Sequence, residues 1–211
     1  MAPLKILGKF LISAGAGVLL FLAWTLWGTG IYTERQQNRL EREFAALAPA
    51  PAAETGSPGR NFDPAPGAPA FKLEIPAIDV ERIIVEGVEA EQLKLGPGHY
   101  PACADQFALP LCFEDESEEY WPGEEGRVIV SGHRTTYGAP FWDLDKLEKG
   151  DRIRTITKWG TFVYVVTETS VVDDDELVAA TGNSAELLLT TCNPKFSADQ
   201  RYLVLAELEA S

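Results

Sequence analysis

The chain has 211 residues, with 18 Lys/Arg against 32 Asp/Glu and a formal net charge of −14. Residues 1–70 hold six Lys/Arg and five Asp/Glu, so residues 71–211 carry −15. A domain so acidic repels phosphate backbones, which excludes a nucleic-acid partner, and the length suits one domain with attachments.

In chain order, the first element is FLISAGAGVLLFLAWTLWGTGIY, residues 10–32, which contains no charged residue. At about 1.5 Å per residue such a helix reaches roughly 35 Å, enough for a hydrocarbon core of about 30 Å. Lys5 and Lys9 precede it, placing residues 1–9 in the cytoplasm. Trp24, Trp27 and Tyr32 stand where a signal peptide would have its small-residue cleavage site, so the segment is expected to remain as a single-span anchor. Residues 33–70 are expected to be a helical stalk followed by a Pro/Ala/Gly-rich linker (48–70) that cannot bury a core.

Residues 71–211 are then the folded domain. FKLEIP (71–76) alternates as a strand, and VERIIVEGV (80–88) follows as a second. EAEQLKLGPGHYP (89–101) is read as a short helical turn and irregular chain, with His99 on a loop or at the surface. An insertion between Pro101 and Gly126 holds Cys103, Cys112 and the acidic run EDESEE (114–119), read as a solvated loop. Strand signals resume at RVIVSGH (127–133), RIRTIT (152–157), TFVYVVTETSVV (161–172), ELLLTTC (186–192) and RYLVLAEL (201–208), with a short helix expected over 139–151. Many short strands without a strand–helix–strand rhythm point to a closed or sandwiched antiparallel sheet.

The chemistry gathers at strand ends. His133 follows VIVSG, Cys192 follows ELLLTT, and Arg201 opens the last strand nine residues after the cysteine. A thiolate attacks acyl carbon, an imidazole hands a proton to the leaving amine, and a guanidinium stabilises the tetrahedral oxyanion. Arginine stays protonated and cannot be the base. Outside the cell Cys103 and Cys112 could bridge their own loop, for about 2–3 kcal/mol in the chain-entropy account. That leaves Cys192 as the odd and therefore reactive thiol.

GHRTTYGAPF (132–141) together with LLTTCNPKFSADQR (188–201) resembles the two signature blocks of the sortases, membrane-anchored cysteine transpeptidases of Gram-positive bacteria. GPGHYP (96–101) and the FKLEIPAIDV start fit the same family, and the blocks resemble class E, the housekeeping type of actinobacteria. The resemblance implies an all-β, closed eight-stranded barrel. It makes Cys192 the nucleophile, His133 the general acid/base and Arg201 the oxyanion stabiliser. Thr191 would line the sorting-signal groove and Tyr137, with Tyr100, would shape it. The implied partners are secreted proteins with an LPxTG-type signal, LAxTG for class E, and an amine of peptidoglycan. No metal or organic cofactor is implied. Asp63-Pro64 matches the first two residues of the Asp-Pro-aromatic lid of pilin-type sortases, but Ala65 stands where the aromatic would be, so a linker rather than a lid is expected. Two departures from the family pattern are Leu188, where a Thr is usual, and the 101–126 insertion.

Three rival readings remain. A papain- or NlpC-like peptidase places Cys before His, an L,D-transpeptidase has a Gly-Cys-Arg setting, and an anchored binding module would have no activity. Turnover of a fluorogenic LAxTG peptide separates the last from an enzyme.

Overall fold

The computed structural model describes residues 2–47, 62–101, 119–174 and 184–209. Cys103 and Cys112, with most of the acidic run, lie outside the described residues.

Eight strands close into a barrel: β1 (Pro69–Ile75), β2 (Val80–Glu86), β3 (Gly98–His99), β4 (Gly126–Ser131), β5 (Arg152–Ile156), β6 (Thr161–Asp173), β7 (Ala185–Asn193) and β8 (Gln200–Leu208). Their order around the barrel is β1-β2-β3-β4-β7-β8-β6-β5. Closure removes the sheet edges that would otherwise template aggregation. The expected barrel is present, but its sheet is not wholly antiparallel: β2 pairs with β3, and β4 with β7, in parallel.

Alternation along the strands builds the interior. Phe71, Leu73 and Ile75 of β1, Val128 and Val130 of β4, and Leu187 and Leu189 of β7 point into one buried cluster with Ile153, Tyr164, Val166 and Val204. Leu188 points the other way and packs with Tyr100, Ile129 and Leu203 in a second cluster. GPGHYP, expected to be irregular, supplies β3, whose two residues bridge β2 and β4 and complete the ring. The helix expected over 139–151 is reduced to one 3-10 turn, Leu144–Lys146, among successive turns.

The N-terminal segment is one long rod: α1 (Ala2–Ala23), a π-helical turn (Trp24–Gly28) and α2 (Thr29–Ala46). Its Lys5–Ala46 stretch is long and apolar enough to cross a membrane. The helix α2, over the residues expected to form the stalk, packs on the barrel. Along α2, Thr33 donates to the Lys94 carbonyl (2.8 Å), Leu40 is fully buried against Ile83 and Val85, and Glu34 pairs with Arg82 (2.7 Å). The Gln37 amide gives Nε2–H to the Ile83 and Leu95 carbonyls (3.0 Å each) and accepts from the Ile83 N–H (2.8 Å). Gly96 makes this possible, because a Cβ there would sit 2.2 Å from Gln37 Nε2. A short helix, α3 (Ala90–Leu93), follows β2 as expected.

Candidate active site

Parallel pairing of β4 with β7 decides the site. Ser131 stands opposite Thr190, so two residues further on, His133 and Cys192 leave their strands at the same end of the barrel. The Gly132 N–H donates to the Thr190 carbonyl (3.1 Å), which carries the register past the end of β4. On the other side, antiparallel β7 and β8 place Cys192 directly opposite Arg201. Directly opposed residues lie about 4.5–5.5 Å apart at Cβ. The even-numbered face of β7 points outward, so Cys192 shares it with Leu188 and Thr190, and Arg201 shares the facing row with Leu203. Cys192, His133 and Arg201 are all partly exposed, and Cys192 is a free thiol.

Each group has a defined setting. Burial holds His133 below the usual imidazole range, so it is neutral at pH 7. Its ring stacks on Tyr137 at 5.0 Å between centroids. Tyr137 has a left-handed backbone (φ 51°), and its N–H donates to Thr29 Oγ1 of α2 (3.0 Å). The rod therefore touches the loop that carries the imidazole. Arg201 Nη1 donates to the Ala198 (2.7 Å) and Gln200 (3.1 Å) carbonyls, which braces the guanidinium. Among the described residues no carboxylate lies within ion-pair distance of it. Tyr100, bonded to Ser131 and within the field of Arg201 and Cys192, has its phenol pushed up to about 12 by burial.

Thr191 does not line an open groove. It is 2% exposed, and its hydroxyl donates to the Gly132 carbonyl (2.7 Å), clipping β7 to the chain ahead of His133. Asp63-Pro64 does not lie over Cys192 either. Phe62 beside it packs on Trp121 and Trp159, and Trp159 precedes β6 at the end remote from the Val172–Arg201 pair.

Sequence reasoning missed Arg134. Buried to 4% exposure, its Nη1 donates to the Cys192 carbonyl (3.2 Å) and to Asn193 Oδ1 (2.7 Å), and its Nη2 pairs with Asp145 (2.8 Å). The Tyr202 ring lies 5.6 Å below the guanidinium. One residue thus ties the His133 loop to the backbone of Cys192. Its only sequence signal was adjacency to His133 in the GHRTTYGAPF block.

His99 also departs from expectation, being 1% exposed rather than at the surface. Nδ1 faces Glu86 Oε2 (2.8 Å) and Glu119 Oε1 (3.6 Å), while Nε2 meets the Tyr120 carbonyl (2.9 Å). The three side chains carry the donor types of a cation site. The 2.8 Å contact between Nδ1 and the Glu86 carboxylate is a hydrogen bond. A proton shared between His99 and Glu86 accounts for it. Glu86 holds the His99 pKa above its ordinary value against desolvation, and burial pushes Glu119 up to about 7.

A closed barrel bearing a thiol, an imidazole and a guanidinium on one rim is the layout of a cysteine-dependent acyl-transfer enzyme. A sortase-domain family model matches residues 73–209. Sortase D of Bacillus subtilis is 33% identical over 212 residues, covering 95% of this chain and 96% of that protein. Sortase SrtE2 of Streptomyces coelicolor is 30% identical over 224 residues, covering 97% of this chain and 81% of that one. Among solved structures, sortase E1 of Streptomyces coelicolor with a tripeptide in its active site superposes with a TM-score of 0.58 at 28% identity, covering 70% of this chain and 92% of that chain. A Clostridium perfringens sortase D5 gives 0.61 at 22% identity, covering 84% and 98%. The chain belongs to the sortase family and is a cysteine transpeptidase. Its relatives include both D and E types.

Proposed function

We propose that the protein is an anchored sortase that cleaves an LPxTG-type sorting signal, with LAxTG preferred, between Thr and Gly. The exported protein is then joined to an amine of peptidoglycan. The observation that carries this reading is the double register: Cys192 opposite Arg201 on β8, and His133 brought to the same rim by the parallel β4–β7 pair.

In this mechanism neutral His133 takes the Cys192 proton as sulfur attacks the Thr carbonyl carbon. The carbonyl oxygen gathers negative charge, which Arg201 offsets. The tetrahedral adduct collapses as the imidazolium gives its proton to the Gly nitrogen, leaving a Thr thioester on Cys192. An incoming amine attacks the thioester carbon and loses its proton to His133, and the thiol is released. Tyr137, stacked on His133, forms one wall of the signal's approach, and Thr191 and Arg134 act by holding the rim together. The two carbonyl contacts that brace Arg201 favour an oxyanion role, because a pre-placed donor needs no reorganisation when charge develops. The class E assignment, the LAxTG preference and the peptidoglycan acceptor rest on the sequence blocks. A cytoplasmic N-terminus and an extracellular barrel follow from Lys5 and Lys9.

The test is intact-mass spectrometry of the full-length protein with LAxTG and LPxTG peptides. A thioacyl adduct on wild type, absent from Cys192→Ala, is expected, with LAxTG giving the faster adduct. Wild type that forms no adduct with either peptide refutes the substrate class.

A further inference from the structure

A groove of about 440 Å³ lies where the N-terminal rod meets the barrel, with Leu26, Trp27 and Gly30 on one wall and Trp142 and Phe196 on the other. Its rim is strongly apolar and exposed. Trp27 is 71% and Phe196 70% exposed, and Trp142, edge-on to Phe196 at 5.9 Å, is 39% exposed. Large exposed aromatics collected from two separate elements mark a contact surface.

The rod fixes the depth of this surface. About 20 residues cross a hydrocarbon core, and the charge-free stretch begins at Phe10, so the far interface falls near Thr29 and Gly30, with Trp27 within a turn of it, in the zone where indole rings concentrate. Gly138 packs beside Gly30, since a Cβ on Gly30 would meet Gly138 Cα at 3.4 Å. Trp142 and Phe196 share the groove with Trp27, and they therefore lie at the depth of the headgroups. Lys195 Nζ sits 4.5 Å over the Trp142 ring, with Asp143 and Asp145 4.0 and 3.7 Å from it.

We propose that Trp142 and Phe196 insert into the outer surface of the bilayer beside the anchor, so that the barrel lies on the membrane with its Cys192 rim facing the lipid instead of standing off on a tether. The inference rests on reading the N-terminal helix as a membrane span. General electrostatic adsorption cannot produce the contact, because residues 71–211 carry −15 and membrane surfaces are commonly anionic. Burial of apolar rings continuous with the anchor can. Phe196 lies in the turn directly after Cys192, so docking places the thiol within reach of a sorting signal as it leaves the bilayer.

The experiment uses full-length protein in phosphatidylcholine nanodiscs whose acyl chains are brominated near the headgroup. Emission lost on Trp24→Phe/Trp27→Phe reports the anchor. Emission lost on Trp142→Phe, and gained on Phe196→Trp, reports the barrel. Interfacial insertion of about 5–10 Å brings these rings to the bromines, so roughly twofold quenching of both sets is expected. Quenched anchor indoles with unquenched barrel indoles overturn the docking and leave the anchor standing. No quenching of either set removes the membrane reading and the docking with it. Barrel indoles indifferent to brominated lipid but shielded by an added apolar peptide would assign the groove to a polypeptide and also overturn the proposal.

Discussion

Replacing Arg134 with Met tests whether the rim is held from beneath. The substitution keeps the volume of the side chain's stem and removes three polar contacts, to the Cys192 carbonyl, Asn193 Oδ1 and Asp145. Hydrogen bonds to a charged group are worth about 1.5–3 kcal/mol each. Asp145 is 37% exposed and regains water once freed, so the loss concentrates on the Cys192 and Asn193 contacts and comes to about 2–4 kcal/mol. With the tie gone, the backbone of Cys192 can shift relative to the His133 loop, and a misplacement of about 1 Å costs on the order of 100-fold in rate. Thioacyl formation with an LAxTG peptide, measured well below the variant's melting temperature, should therefore slow about 100-fold with little change in KM. Arg134→Lys should not restore it, because a single ammonium cannot reproduce the fork that reaches Cys192 and Asn193 through Nη1 and Asp145 through Nη2. A folded Arg134→Met variant with wild-type acylation would refute the positioning argument, whatever its melting temperature.

Thr29→Val removes the acceptor for the Tyr137 N–H and should cost about 1 kcal/mol of stability; calorimetry reads the loss, and a fewfold fall in kcat/KM would report that α2 steadies the His133 loop. Gly96→Ala sets a methyl 2.2 Å from Gln37 Nε2 and should release α2 from the barrel, seen as faster hydrogen exchange over residues 29–46. Because burial lowers the His133 pKa, its neutral form persists below pH 6.5, so the acid limb of kcat/KM should fall at a pH below that value; a limb above pH 6.5 contradicts the setting described for His133. The His99–Glu86–Glu119 group acts on stability instead. His99 and Glu119 both bind protons more tightly folded than unfolded, so their contribution is present at low pH and lost as pH rises, through about 7 for Glu119. The melting temperature should decline from pH 6 to pH 8, and Glu119→Gln should flatten that decline.

Much of the barrel was legible in the chain. β-branched runs and two-residue alternation located seven of the eight strands to within two residues at most boundaries. β3 escaped because two residues flanked by glycine and proline carry no periodicity, and their strand character comes entirely from the neighbours they bridge. The docking of α2 on the barrel was invisible for a similar reason. Its polar residues look solvated in one dimension, yet Gln37 and Thr33 spend their side chains on barrel backbone some fifty to sixty residues away. His99 was read as a surface residue because a lone histidine among glycine and proline suggests a loop, whereas its partner Glu86 comes from β2.

By itself the sequence determined the chemistry available to this protein: one free thiol among the described residues, two imidazoles, and an arginine that opens the strand after the cysteine. Side-chain identity sets nucleophilicity, basicity and charge without reference to the fold. Only the tertiary structure decided which imidazole stands on the rim with the thiol and which is buried, because that placement depends on a parallel β4–β7 pair between segments almost sixty residues apart. Local periodicity says which residues share a face, but the partner of a strand is chosen by burial and hydrogen bonding across the whole barrel.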